Sequence, residues 1–185
     1  MIKLLKTAVE LQTLCERQGW QFCFIGGIAV QRWGQPRVTL DVDITLLTGF
    51  GDEDRFIEVL LAAYSSRAQN PAEFARRNRV LLLHAPDGTG IDISLGALPF
   101  EENVVRRATP FTFPERIDLR TCSAEDLVVM KLFASRAIDI RDAEMVAVRQ
   151  NGRLDWRYIE EQLRPLAEAK EAPEIMDALA RIRNL

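Results

Sequence analysis

The stretch from Gly26 to Ile44, GGIAVQRWGQPRVTLDVDI, decides how the rest of the chain is read. Before it lies a short apolar, aromatic-rich run, WQFCFI (20–25), and after its two glycines comes IAVQRW (28–33). That order predicts a strand, a glycine turn and a short helix closed by Gly34 and Pro36. From Val38 the residues alternate. Val38, Leu40, Val42 and Ile44 fall on one side, Thr39, Asp41, Asp43 and Thr45 on the other, which is the period of a strand over 38–47. Two aspartates at this spacing leave the same face, where their like charges repel unless a cation lies between them.

A third carboxylate, Asp92, sits in GIDISL among Ile91, Ile93 and Leu95. Aspartate is depleted in strands, so three of them in otherwise apolar strand runs call for a reason. Three carboxylates from two strands would make an oxygen-rich site of the kind magnesium prefers, with water and phosphate oxygens completing the shell. Gly26 and Gly27 would let the backbone pass close to a phosphate, and the helix that follows would offer unpaired N–H groups and the positive end of its dipole. Taken singly, the aspartates read as a solvated strand face and the glycines as a tight turn. Together they supply both halves of a nucleotide site.

Outward from this unit, residues 2–18 read as an amphipathic helix stopped by Gly19, and 53–63 as another helix. NRVLLLHA and GIDISLGAL flank the turn PDGTG, a hairpin centred on Asp87 and Gly88. NVVRRATPFTFP and RIDLRT are expected to be further short strands. From Ser123 the pattern turns helical, beginning with a Ser-x-x-Asp capping pattern and running through SAEDLVVMKLFASR, IRDAEMVAVRQ, WRYIEEQLRPLAEA and PEIMDALARIR. The expected fold class is α/β (α+β): a small mixed sheet flanked by helices over 1–118, then a helical carboxy-terminal subdomain over 119–185.

The 185 residues are 48% hydrophobic and 28% charged, enough for one compact domain with a smaller appendage. A net charge of −3 argues against a generic nucleic-acid coat protein while allowing a local basic groove. Cys15, Cys23 and Cys122 form neither a zinc pattern nor a disulfide framework, so buried thiols in a reducing cytoplasm are expected. The first residues interleave charges with apolar positions, which predicts neither a signal peptide nor a membrane span.

Gly26-Gly27, a short helix, Asp41-x-Asp43 on a strand and Asp92 on a later strand resemble the nucleotidyltransferase superfamily that includes DNA polymerase beta. Arg37-x-Thr39-x-Asp41-x-Asp43 after GGIAVQRWG is similar in particular to the AbiEii/AbiGii-type toxin nucleotidyltransferases. The resemblance implies that Gly26 and Gly27 hold a triphosphate, with Arg37 and Thr39 in the same nucleotide-binding stretch. It implies that Asp41 and Asp43 bind Mg2+ or Mn2+, and that Asp92 joins one metal and helps to activate the attacking hydroxyl.

A second match, KLFASRAIDIRD, implies a catalytic and nucleotide-binding role for Lys131, which would neutralise the triphosphate or the pyrophosphate leaving group. Asp139-x-x-Asp142 or Arg141-Asp142 would fill the place of a later Arg/Lys-Asp-x-x-Asp element. The competing reading of Arg136 and Asp139 is a surface salt-bridge set. On one continuous helix Lys131 and Asp142 would share a face. The chain departs from the family in Gly27, where polymerase-like members often carry serine, and in its short length beside many toxin members.

The implied reaction moves a nucleoside monophosphate from an NTP to an acceptor hydroxyl on a tRNA or other RNA end, a protein or a small molecule. An antitoxin protein is the implied partner. The rival readings are an inactive, antitoxin-like binding protein on the same fold and a metal-dependent phosphodiesterase. His84 and Ser94 lack the partners that would make them catalysts. Arg76, Arg77, Arg79, Arg106 and Arg107 read as a solvated face before they read as a polynucleotide groove.

Overall fold

The computed structural model describes residues 2–185, which form a seven-stranded mixed sheet and nine α-helices. The chain divides into two compact units. The first runs up to Ile28 and resumes over Val38–Thr121; the second comprises Ala29–Arg37 and Cys122–Leu185. The sequence pattern alone places residues 29–37 with the first half.

In chain order the first unit holds α1 (Ile2–Arg17), β1 (Phe22–Phe24), the opening of α2 (Gly26–Trp33), β2 (Asp41–Leu47), α3 (Glu53–Ala63), β3 (Ser65–Ser66) and α4 (Pro71–Asn78). It continues with β4 (Val80–His84), β5 (Gly90–Gly96), α5 (Pro99–Arg107), β6 (Thr109–Phe113) and β7 (Ile117–Thr121). The strand order is β3-β4-β5-β2-β1-β7-β6. β2 lies parallel to β5 and antiparallel to β1, while β4 returns antiparallel beside β5 through the expected hairpin at Asp87 and Gly88.

Alternation decides the core. Val42, Ile44 and Leu46 of β2, Ile91, Ile93 and Leu95 of β5, and Leu81 and Leu83 of β4 are buried to 1% exposure or less. They join Leu4, Leu5, Ala8 and Leu11 of α1 and Phe56, Ile57 and Leu60 of α3 in one cluster. Each such side chain contributes about 1.5–3 kcal/mol when buried, so the register of β2 is firmly fixed. The other face of β2 and β5 is left to Asp41, Asp43, Asp92 and Ser94, all half-buried.

Three expectations need correction. β2 begins at Asp41 and not at Val38; Val38 and Leu40 are 80% and 75% exposed and lie outside the ladder. α2 begins at Gly26, so the glycines form its first turn and do not precede it. NVVRRATPFTFP divides: its first part belongs to α5, and only Thr109–Phe113 is strand. Pro99 opens α5, and the Glu101 carboxylate accepts the N–H groups of Ala97 and Leu98 at 2.8 and 2.9 Å, a cap that outweighs the β-branched pair Val104-Val105.

The second unit is built on α6 (Ala124–Ala134), against which α7 (Ala137–Gln150), α8 (Trp156–Ala169) and α9 (Glu174–Arg183) pack. Leu127, Val128, Val129 and Leu132 of α6 are fully buried, the sign of a helix surrounded on all sides. Ser123 caps it by accepting the Asp126 N–H at 3.1 Å, as the Ser-x-x-Asp pattern predicts. Residues 29–37 are pinned to this unit by polar contacts. The Trp33 indole donates to the Cys122 carbonyl at 2.8 Å, and the Gln150 amide donates to the Trp33 carbonyl at 3.0 Å.

Candidate functional site

β1 and β2 bring the glycines to the aspartates. The Ile25 N–H donates to the Asp43 carbonyl at 2.9 Å, so the chain is still paired with β2 when it turns into α2. Gly26 makes that turn at φ +52°, in the left-handed region. A Cβ there would also run into the Asp43 carboxylate at under 3.0 Å. The next N–H, that of Gly27, makes a long 3.4 Å hydrogen bond to Asp43 Oδ2. A Cβ on Gly27 would strike the Thr39 side chain. Gly26, Gly27, Thr39 and Asp43 thus form one tightly apposed group.

The parallel register of β2 and β5 sets Asp43 directly beside Asp92 and Asp41 beside Gly90. All three carboxylates therefore lie on the half-buried face of two neighbouring strands. Gly90 has no place among the expected site residues, yet a Cβ on it would press into Asp41 Oδ1. Its signal was its position as the first residue of GIDISL, where a strand glycine marks a close approach.

Arg67 is the other residue that the sequence pattern misses. Its guanidinium forms an ion pair with Asp92 Oδ1, and its backbone N–H donates to the Leu82 carbonyl at 3.0 Å. Leu82 pairs in turn with Asp92. Arg67, Leu82, Asp92 and Asp43 make a row across the sheet.

Among the described residues no three His, Cys, Asp or Glu side chains converge as a ready-made metal centre. Asp41 and Asp43 nevertheless offer hard oxygen donors from one face, with Gly90 packed against the first carboxylate and Gly26 against the second. That donor set suits a divalent cation whose remaining ligands come from phosphates and water.

Arg37, Lys131 and Asp142 meet in the second unit. Lys131 is 6% exposed, and its ammonium donates to Asp139 at 2.7 Å and lies 2.9 Å from Asp142. Arg37 grips Asp142 with two hydrogen bonds of 2.8 Å, and Arg136 reaches Asp139 at 2.5 Å. Lys131 and Asp142 do not lie on one continuous helix. Ser135 takes a left-handed conformation (φ +59°), α6 ends, and α7 starts afresh at Ala137. Lys131 and Asp142 meet because the chain bends, not because they share a helical face.

Burial pushes the Asp139 carboxyl up, but the hydrogen bonds and charges of Arg136 and Lys131 outweigh it and hold the group below the ordinary carboxylate range. Asp142 is held down in the same way by Arg37 and Lys131.

A family model described as "Nucleotidyltransferase of unknown function (DUF6036)" matches residues 2–179. No match to a curated protein was found. Among solved structures, the antibiotic-resistance factor ANT(2'')-Ia is similar with a TM-score of 0.59 at 11% identity, over 91% of this chain and 94% of that one. An antigenic nucleotidyltransferase-like protein from Paracoccidioides brasiliensis gives 0.50 at 17%, over 96% and 93%. The lincosamide antibiotic adenylyltransferase LnuA, solved with lincomycin bound, gives 0.50 at 16%, over 76% and 94%. At such identities the likeness is one of fold, and the fold is the mixed α/β nucleotidyltransferase fold that the sequence led us to expect. The AbiEii/AbiGii subtype has no counterpart among these matches.

The packing of Gly90 against Asp41 makes a measurable coupling. Gly90→Ala is expected to cost about 1–3 kcal/mol in urea unfolding, the usual range for overpacking. In an Asp41→Ala background the same change should cost under about 0.5 kcal/mol, because the obstructing carboxylate is gone. Equal costs in the two backgrounds would deny the contact.

Lys131→Met is expected to cost about 3–5 kcal/mol at pH 7, since it leaves two buried carboxylates short of a cation. A carboxyl held below its unfolded value contributes stability that is present above about pH 4 and vanishes as the pH falls through the folded value. The gap between native protein and variant should therefore narrow from pH 7 to pH 3. A gap independent of pH would contradict the pairing.

Proposed function

The chain belongs to this nucleotidyltransferase family, and we propose that it transfers a nucleoside monophosphate from an NTP to an acceptor hydroxyl with release of pyrophosphate. The register that sets Asp43 beside Asp92, with Gly26 and Gly27 packed against Asp43 and Thr39, is the observation that carries this reading. Asp41 and Asp43 would hold the divalent cation, Mg2+ or Mn2+, with Asp92 as the third carboxylate. When bound, the cation supplies positive charge for the triphosphate and for the charge that develops on the departing oxygen.

The chain's own groups do the remaining work. N–H groups in the first turn of α2 bind phosphate oxygens, and the absence of a Cβ at Gly26 and Gly27 lets the backbone approach them. Thr39, packed on Gly27, orients its hydroxyl toward the same phosphates. Asp92 accepts the proton of the acceptor hydroxyl as that oxygen bonds to the α-phosphorus. The bond from the α-phosphorus to its bridging oxygen breaks, and pyrophosphate leaves with the electron pair. No side-chain nucleophile takes part.

Lys131, Arg37 and Asp142 serve first as the ionic lock of the second unit, since each is already engaged there. ATP is the first donor to test and a small hydroxyl compound the first acceptor, because LnuA is described as an antibiotic adenylyltransferase. An RNA end or protein acceptor and an antitoxin partner rest on the toxin resemblance.

Calorimetry with ATP, in the presence and absence of Mg2+, tests the carboxylate pair. Mg2+ should tighten ATP binding at least about tenfold in the native protein, a coupling of about 1.4 kcal/mol, and less than about twofold in Asp43→Asn. Undiminished coupling in the variant would sink the two-carboxylate site. ATP binding with no metal coupling in the native protein would mark a binding protein built on the same fold.

A further inference from the structure

A cavity of about 640 Å³ opens between the start of α4 and β4, lined among others by Arg67, Asn70, Glu73, Phe74, Arg77 and Asn78, with Leu82 in its wall. That volume falls in the range of small-ligand sites. Two independent features tie it to the carboxylate row. Leu82 pairs in register with Asp92, and Arg67, which lines the cavity, is ion-paired to the Asp92 carboxylate. A molecule seated here would lie on the β4 side of β5, linked to the Asp92 carboxylate through Arg67, whereas Asp43 and the glycines lie on the β2 side.

The lining gives the chemistry. Four arginines lie between residues 67 and 79. Arg76 pairs with Asp54, and Arg79 pairs with Glu53, both at the acidic start of α3. Arg67, ion-paired to Asp92, and Arg77 line the cavity. Guanidinium groups match phosphate oxygens in planar, two-pronged geometry. The side chains of Asn70 and Asn78 add amide donors and acceptors suited to hydroxyls, and the Asn78 amide group is itself steadied by donation to the Phe74 carbonyl at 2.9 Å. Phe74 adds a flat apolar surface, and Glu73 is the single opposing charge among these lining residues.

We propose that this cavity is the acceptor subsite and that it takes a hydroxyl-bearing phosphate ester, with Arg67 and Arg77 on the phosphate and the hydroxyl presented to Asp92. The proposal rests on the transferase reading above and adds to it the place and the charge of the acceptor. A ribose phosphate and the 3′ end of an RNA share this chemistry.

Titrations of the full-length chain, followed by NMR, would use ribose 5-phosphate, a trinucleotide with a free 3′ hydroxyl, and ribose as the neutral control. At least one phosphate ester should bind about tenfold or more tightly than ribose. Arg77→Met should weaken that binding at least fivefold while leaving the affinity for Mg2+·ATP unchanged. Preference for the trinucleotide would identify an RNA end as the source of the ester, and preference for ribose 5-phosphate a small sugar phosphate. Phosphate esters binding no better than ribose, or equally well to native protein and Arg77→Met, would overturn the assignment. Arg77-dependent ester binding without any Mg2+·ATP binding would remove the transferase reading and leave a phosphate-ester site standing.

Discussion

The alternation of β2 settles which of its side chains enter the core, and the geometry of the candidate site follows from that choice. Burying Val42, Ile44 and Leu46 forces Asp41 and Asp43 onto the opposite face, and a slip of one residue would exchange the two sets. The same logic in β5 buries Ile91, Ile93 and Leu95 and turns Asp92 outward. Because β2 and β5 are parallel and in register, Asp43 and Asp92 become neighbours without any special loop. Apolar burial, which has no chemical role in the proposed reaction, thus puts three carboxylates on one face of two neighbouring strands. Arg67 neutralises part of that charge at Asp92.

Charge is handled differently in the second unit. Lys131, Asp139 and Asp142 are nearly inaccessible to solvent, and Arg37 and Arg136 close the group. Buried ions of this kind give little net stability over apolar residues of similar size, but removing one partner is costly. Such a lock specifies how α7 returns against α6 after the break at Ser135. It also accounts for the lysine and the last aspartate of KLFASRAIDIRD, which form an ion pair across that break.

Where the signal is periodic, the sequence was legible: the alternation of DVDITLL, the hairpin around Asp87 and Gly88, the helices after Ser123 and the three aspartates were all readable from it. The position of the glycines was readable too, although they enter the first turn of α2. Other features depended on tertiary contacts. β3 is two residues long and α4 eight, with too few apolar positions to show a period, so the reach of Arg67 to Asp92 was invisible. Val104-Val105 looked like strand because the cap made by Glu101 acts from outside that pair. Ala29–Arg37 group with residues far along the chain, and the hydrogen bond from Trp33 to the Cys122 carbonyl is one example.

The central claim is that Asp41 and Asp43 together form the cation-binding edge of a nucleotide site. Anomalous diffraction from crystals grown with Mn2+ and a non-hydrolysable ATP analogue tests it most directly. The account predicts a manganese peak in contact with both carboxylates and with oxygens of the triphosphate. A peak at other side chains, or nucleotide bound with no metal at Asp41 and Asp43, would contradict it.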